Sequence, residues 1–288
     1  MTKISIRNGL LAFLLVLLLM PIGHVIMILN EILLEENKYV GAVILGIIGV
    51  VLFIWGIKKN HQPTVATILG FLSAVLIWTG WVEFSFMWVA EKENVAHLVK
   101  DGEIATKREY LVMLSSLGIL MSMFFYFMFT RSNCTFFIWI QNKLGFKDII
   151  SKNSSGFKKP QSVVVFGETL MILWFFYVSL LVVYDDTIAG DRHWATHVLG
   201  WGSLIWSFYL ISRLIKLKSF DYAIRYAVPT VIIFWNFVEV AGRWGLFEEI
   251  WVQPLEYWLE VSLFFISLAI LLFVFIRNPS FNRKKVMK

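Results

Sequence analysis

Gly9-Leu10-Leu11-Ala12-Phe13-Leu14-Leu15-Val16-Leu17-Leu18-Leu19-Met20-Pro21-Ile22-Gly23-His24-Val25-Ile26-Met27-Ile28-Leu29 runs without a charge from residue 9 to residue 29. A helix of about 20 apolar residues crosses a hydrocarbon core of about 30 Å, so this stretch alone places the chain in a membrane. Lys3 and Arg7 before it are the flank of a secretory signal. The run nevertheless continues through Pro21 without a small-residue cleavage site, which makes it a retained span.

Working outward, comparable apolar runs recur at roughly 39–57, 64–89, 109–130, 163–184, 194–215, 223–241 and 257–276. Apolar residues make up 58% of the chain, charged residues 16%, and the mean hydropathy is +0.72, values outside the range of soluble domains. The runs are too long and unbroken for barrel strands, and backbone amides in lipid must pair internally, so the spans are helical. The expected fold is an all-α, polytopic transmembrane helical bundle of about eight spans, forming one integral membrane domain over 1–288. No repeat, low-complexity tract or soluble domain interrupts it.

The distribution of Lys and Arg sets the orientation. Lys3, Arg7, Lys58, Lys59, the segment 131–159, the segment 213–225 and the tail 277–288 hold 19 of the 26 basic residues. Both termini are therefore expected in the cytoplasm, with the chain multi-pass in the cell's inner membrane. The tail residues Arg283, Lys284 and Lys285 suit lipid headgroups and topogenesis, not nucleic acid. Cys134 has no partner for an internal disulfide. Segment 151–156 reads as a flexible loop and Asp101-Gly102 as a turn.

Candidate chemistry collects on the outer side. Asp185-Asp186-Thr187-Ile188-Ala189-Gly190-Asp191-Arg192-His193-Trp194-Ala195-Thr196-His197 brings three carboxylates and two imidazoles between two apolar runs. His193 and His197 stand four apart and share a helix face, and with Asp185 or Asp186 they make a set of the kind that holds copper, zinc or iron. The structural alternative has Asp191 capping the following helix and His193 lying in its first turn. Ionisable residues within spans, Glu83, Glu168 and Glu239, are costly enough to suggest either interhelical bonding or function. His24 and His97 read as packing and loop residues. The stretch 243–258, with Trp244, Trp251 and Trp258, reads as an interfacial segment.

Taken together, Trp78-x-x-Trp81-x-Glu83-x-x-x-x-Trp88, Asp185-Asp186-Thr187-Ile188-x-x-Asp191 with His197, and Glu248-Glu249-Ile250-x-Val252-x-Pro254-Leu255-x-Tyr257 resemble the C subunit of the copper membrane monooxygenases, which oxidise methane, ammonia or short hydrocarbons. The resemblance covers 75–276. It leaves 1–62 as an extra N-terminal helix pair before a subunit-C-like bundle at 63–288. It implies copper, with zinc as an alternative occupant and no haem. It also implies A-like and B-like partner subunits, a quinol as reductant, and O2-dependent oxidation of a small apolar or nitrogenous substrate.

The family's metal triad falls on Leu181, Asp185 and His197, and its second ligand set on Val238, Gly242 and Glu256. A metal site in this chain would therefore be rebuilt from Asp185, His193 and His197, with Asp186, Asp191, Glu239 or Glu256 nearby. Glu83, Arg192, Glu248 and Glu249 would support the outer helix ends. A scaffold subunit without metal, or a small-molecule transporter, is the competing expectation.

Overall fold

The computed structural model describes residues 3–100, 103–130, 135–146 and 159–277. Cys134, the Asp101-Gly102 turn, the loop at 151–156 and the basic tail beyond 277 lie outside the described residues. The chain is an all-α, membrane-embedded bundle with one small hairpin. In order the elements are α1 (Lys3–Leu34), α2 (Lys38–Lys58), α3 (Pro63–Lys92), β1 (Leu98–Lys100), β2 (Glu103–Thr106), α4 (Arg108–Phe129) and α5 (Thr135–Lys143). There follow α6 (Gln161–Tyr184), α7 (Trp194–Leu214), α8 (Phe220–Arg243) and α9 (Trp258–Arg277).

Six helical stretches among the described residues are long and apolar enough to cross a membrane, the first of them, Ile4–Lys58, comprising both α1 and α2. Helix α7 is not among the six; its Trp, Gly, Ser and His content dilutes the apolar run. Helix ends fall within a few residues of the runs read from hydropathy. The hairpin of β1 and β2, antiparallel with a bulge between Leu98 and Val99, occupies what the sequence reads as a solvated loop.

Small residues bring the helices together, as lipid-embedded packing requires. A Cβ at Gly46 of α2 would lie 1.8 Å from Trp81 Nε1, so only glycine lets that indole of α3 settle on α2. The central core joins α1, α3, α6, α8 and α9 through Ala12, Leu15, Val16, Phe71, Val165, Ala223, Ile224, Ala227 and Phe275. Helix α1 belongs to this core and lies against α8, while α2 lies against α3.

Two ends can be distinguished. At one, the hairpin, the 185–193 loop and the 244–257 segment meet; at the other, Asn8 Nδ2 donates to the Lys218 carbonyl (3.0 Å) and Gln161 N–H to Asn60 Oδ1 (2.9 Å).

Candidate functional site: an acidic, aromatic cavity at the hairpin end

Along α3 the helix widens into a π segment, Trp78–Glu83. Such segments place residues five apart on one face, and Trp78 Nε1 donates to Glu83 Oε1 across that step (3.0 Å). On α8 the ordinary four-residue step does the same work: Trp235 Nε1 donates to Glu239 Oε1 (2.6 Å). His24 of α1 completes this wall, its Nε2 3.5 Å from Glu239 Oε1 and its ring stacked on Trp235 at 6.5 Å. Pro21 lies three residues before His24, within the same unbroken helix.

These groups line a cavity of about 250 Å3. Trp78, Tyr110, Tyr177, Tyr184, Trp235 and Trp251 supply aromatic walls; Glu83, Glu239 and Glu249 supply carboxylates. Residues Ile104 to Lys107 of the hairpin and its exit, and Trp251 and Val252 of the 244–257 segment, cover the end. Glu249 reaches the cavity because Gly242 has no side chain: a Cβ there would sit 2.1 Å from Glu249 Oε1. Burial and the neighbouring charge of Glu239 push the Glu249 carboxyl up to about 7.

The cover is tied down electrostatically. Asp191 Oδ2 pairs with Lys100 of β1 (2.9 Å) and Asp191 Oδ1 with Arg243 Nε of α8 (2.8 Å), while the Asp191 carbonyl accepts from Trp244 Nε1 (2.8 Å). Lys100 also pairs with Asp186 (2.8 Å). Arg243 donates further to the Ala105 carbonyl and to Thr106 Oγ1, and its guanidinium lies over the Tyr184 ring at 4.7 Å. Burial opposes ionisation of Asp191, yet the Lys100 and Arg243 charges prevail and hold its carboxyl below the usual range.

The residues singled out as metal ligands lie elsewhere. Asp185 Oδ1 accepts from the Thr187 backbone N–H (2.8 Å) and from Thr187 Oγ1 (2.7 Å), which lowers its pKa. His193 is the N-cap of α7, its Nδ1 accepting from Ala195 N–H at 3.3 Å, the role the sequence offered to Asp191. His197 is exposed, its ring 4.4 Å from that of Trp244. Among the described residues no group of three or more His, Cys, Asp or Glu is gathered in a way that suits a metal ion. Asp185, His193 and His197 thus do not form a ligand set as they stand, and Asp186 and Asp191 are committed to Lys100 and Arg243.

Glu239 belongs to the cavity; Glu256 and Arg192 are exposed, and Glu248 accepts from the Tyr257 hydroxyl (2.9 Å). The cation that ties the helix ends together is Arg243, which the sequence reading passed over in favour of Arg192. Also missed as site residues were His24, Tyr110, Tyr177, Tyr184 and Asn236. A lone polar residue facing inward near one end of a span was the available signal for each. Compared with models of protein families, with curated proteins and with solved structures, the chain finds no match.

Proposed function

We propose that this chain is a membrane subunit of a copper monooxygenase-like complex that oxidises a small apolar or nitrogenous substrate with O2, working at the hairpin end of the bundle. The supporting observation is convergence. The three segments that carry the resemblance, 78–88, 185–197 and 248–257, are distant in sequence and meet around one end: Trp78 and Glu83 line the cavity opposite Glu249 and Trp251, and Asp191 ties the middle segment to Arg243 and Trp244. In this reading copper would supply the activation of O2. The chain's own contribution is the cavity, which encloses a small substrate between aromatic walls and offers the His24–Glu239 pair as a place to hold a proton. No step is assigned to Asp185, His193 or His197, because their side chains are not gathered.

The arrangement in the membrane follows from the distribution of basic residues: eight crossings in the inner membrane, both termini cytoplasmic, and the hairpin end periplasmic. Reporter fusions after Lys59 and Lys159 should read cytoplasm, and one near Glu248 should read outside.

A metal-free scaffold or transport role is the second reading, favoured by the commitment of Asp186 and Asp191 to ion pairs. Purification from the native host in mild detergent separates the two. Co-purification of A-like and B-like subunits together with copper supports the complex. A lone chain without copper under several detergents overturns it.

A further inference from the structure

The cavity is unevenly charged. Among its three carboxylates Glu239 has His24 within 3.5 Å, whereas neither Glu83 nor Glu249 forms an ion pair with a described residue. The two fixed cations on the lining are engaged with acids outside it: Arg243 with Asp191, and Lys107 with Glu31 and Glu109 at 3.9 and 4.0 Å. Carboxylates without an ion-pair partner beside a cavity favour a positive occupant, and indole and phenol faces favour one whose charge is spread over carbon. Trp78, Trp235, Trp251, Tyr110 and Tyr177 provide such faces.

A second, independent feature points to a ligand. Tyr184 Oη and Asn236 Nδ2 are buried on the lining, their residues 8% and 3% exposed, and neither atom has a hydrogen-bond partner. Buried polar groups left unpaired cost about 1–3 kcal/mol each, so two on one small cavity call for an acceptor inside it. At about 250 Å3 the space falls below that of a drug-sized pocket and suits a molecule of a few heavy atoms.

We propose that the cavity is a binding site for a small alkylammonium ion carrying a hydroxyl or ether oxygen, its cationic end between Glu83 and Glu249 against the aromatic walls and its oxygen toward Asn236 and Tyr184. The same head chemistry occurs in free amino alcohols and in lipid headgroups. The inference rests on the cavity alone, so failure of the copper experiment leaves it standing.

The test is a titration of the full chain in nanodiscs of phosphatidylglycerol with ethanolamine, choline and the uncharged choline isostere 3,3-dimethylbutan-1-ol, followed by tryptophan fluorescence and calorimetry. At least one ammonium should bind at least about tenfold more tightly than the neutral isostere, a difference of about 1.4 kcal/mol. Glu83→Gln and Glu249→Gln, which keep shape and remove charge, should each cost about tenfold or more. Glu249 lies outside the helices and serves should Glu83→Gln fail to fold. Tyr184→Phe should weaken ethanolamine but leave tetramethylammonium unchanged. If discs containing phosphatidylcholine abolish the response to free choline, the occupant is a lipid headgroup; if they leave it intact, a free amine. Equal binding of choline and its isostere, no binding of either ammonium at millimolar concentration, or indifference to both glutamine variants overturns the proposal.

Discussion

The two ends of this bundle solve the problem of polar groups in a membrane protein in opposite ways. At the end formed by residues 59–62 and 215–219, the described polar contacts tie helix ends to one another: Asn8 reaches the Lys218 carbonyl, Asn60 receives the Gln161 amide, and the nearby Glu168 and Arg225, each about one-tenth exposed, neutralise one another at 3.2 Å. At the hairpin end, carboxylates exceed the cations that meet them, ring contacts such as Trp235 with Trp251 and Tyr110 with Tyr177 build the walls, and a cavity remains between them. Glu168 has its own arginine, whereas Glu83 and Glu249 have no ion-pair partner among the described residues, and the proposed ammonium ion would supply one.

Variants sharpen this contrast. The largest effect on stability is expected from Phe71→Ala, which empties a fully buried site of the central core away from the cavity lining. It should cost about 3–5 kcal/mol, read by denaturant or thermal unfolding in detergent, with little change in ligand affinity for the protein that remains folded. Arg243→Ala should cost about 2–3 kcal/mol, because it strips Asp191, Ala105 and Thr106 of a charged donor. Unlike Phe71→Ala it should also raise hydrogen exchange across 98–106 and weaken ligand binding by loosening the cover. Asp186→Asn, at a carboxylate 59% exposed, should stay within about 0.5 kcal/mol.

The pH dependence carries a definite sign. Glu249 faces Glu239 and Arg243 of α8 and His24 of α1, and its carboxyl is held up near 7 from an ordinary value of 4.5. A folded state that keeps a proton the unfolded chain has lost is favoured at low pH. The contribution of this group to stability therefore declines as pH rises from about 4.5 to about 7 and is level above that. Ammonium affinity should move the other way, increasing between pH 6 and pH 8 as Glu249 ionises, and Glu249→Gln should flatten that dependence.

The helices were legible because lipid demands long apolar runs, and the runs at 9–29, 163–184 and 223–241 each match a helix. The site was legible only in fragments. Glu83 and Glu239 stood out as charges inside spans, and Trp78 was visible beside Glu83, but the π step joining them is a local widening with no periodic signature. His24 lies more than 200 residues from Glu239, and a single imidazole on an apolar helix does not announce its partner. The 185–197 knot shows what its sequence leaves out. Density of ligand-type residues in sequence reads as a metal site, whereas Lys100 and Arg243, arriving from β1 and α8, take up the carboxylates.

The hairpin end carries the proposed ligand site, whereas the Glu168–Arg225 pair toward the other end joins α6 to α8. The most direct measurement sets Glu83→Gln beside Glu168→Gln in the same alkylammonium titration and the same unfolding experiment. Glu83→Gln should lower affinity at least about tenfold with little loss of stability, and Glu168→Gln should lower stability while leaving affinity unchanged, since it removes the carboxylate that pairs with Arg225 at 3.2 Å. Equal affinities in the two variants, with loss of stability in both, would contradict it.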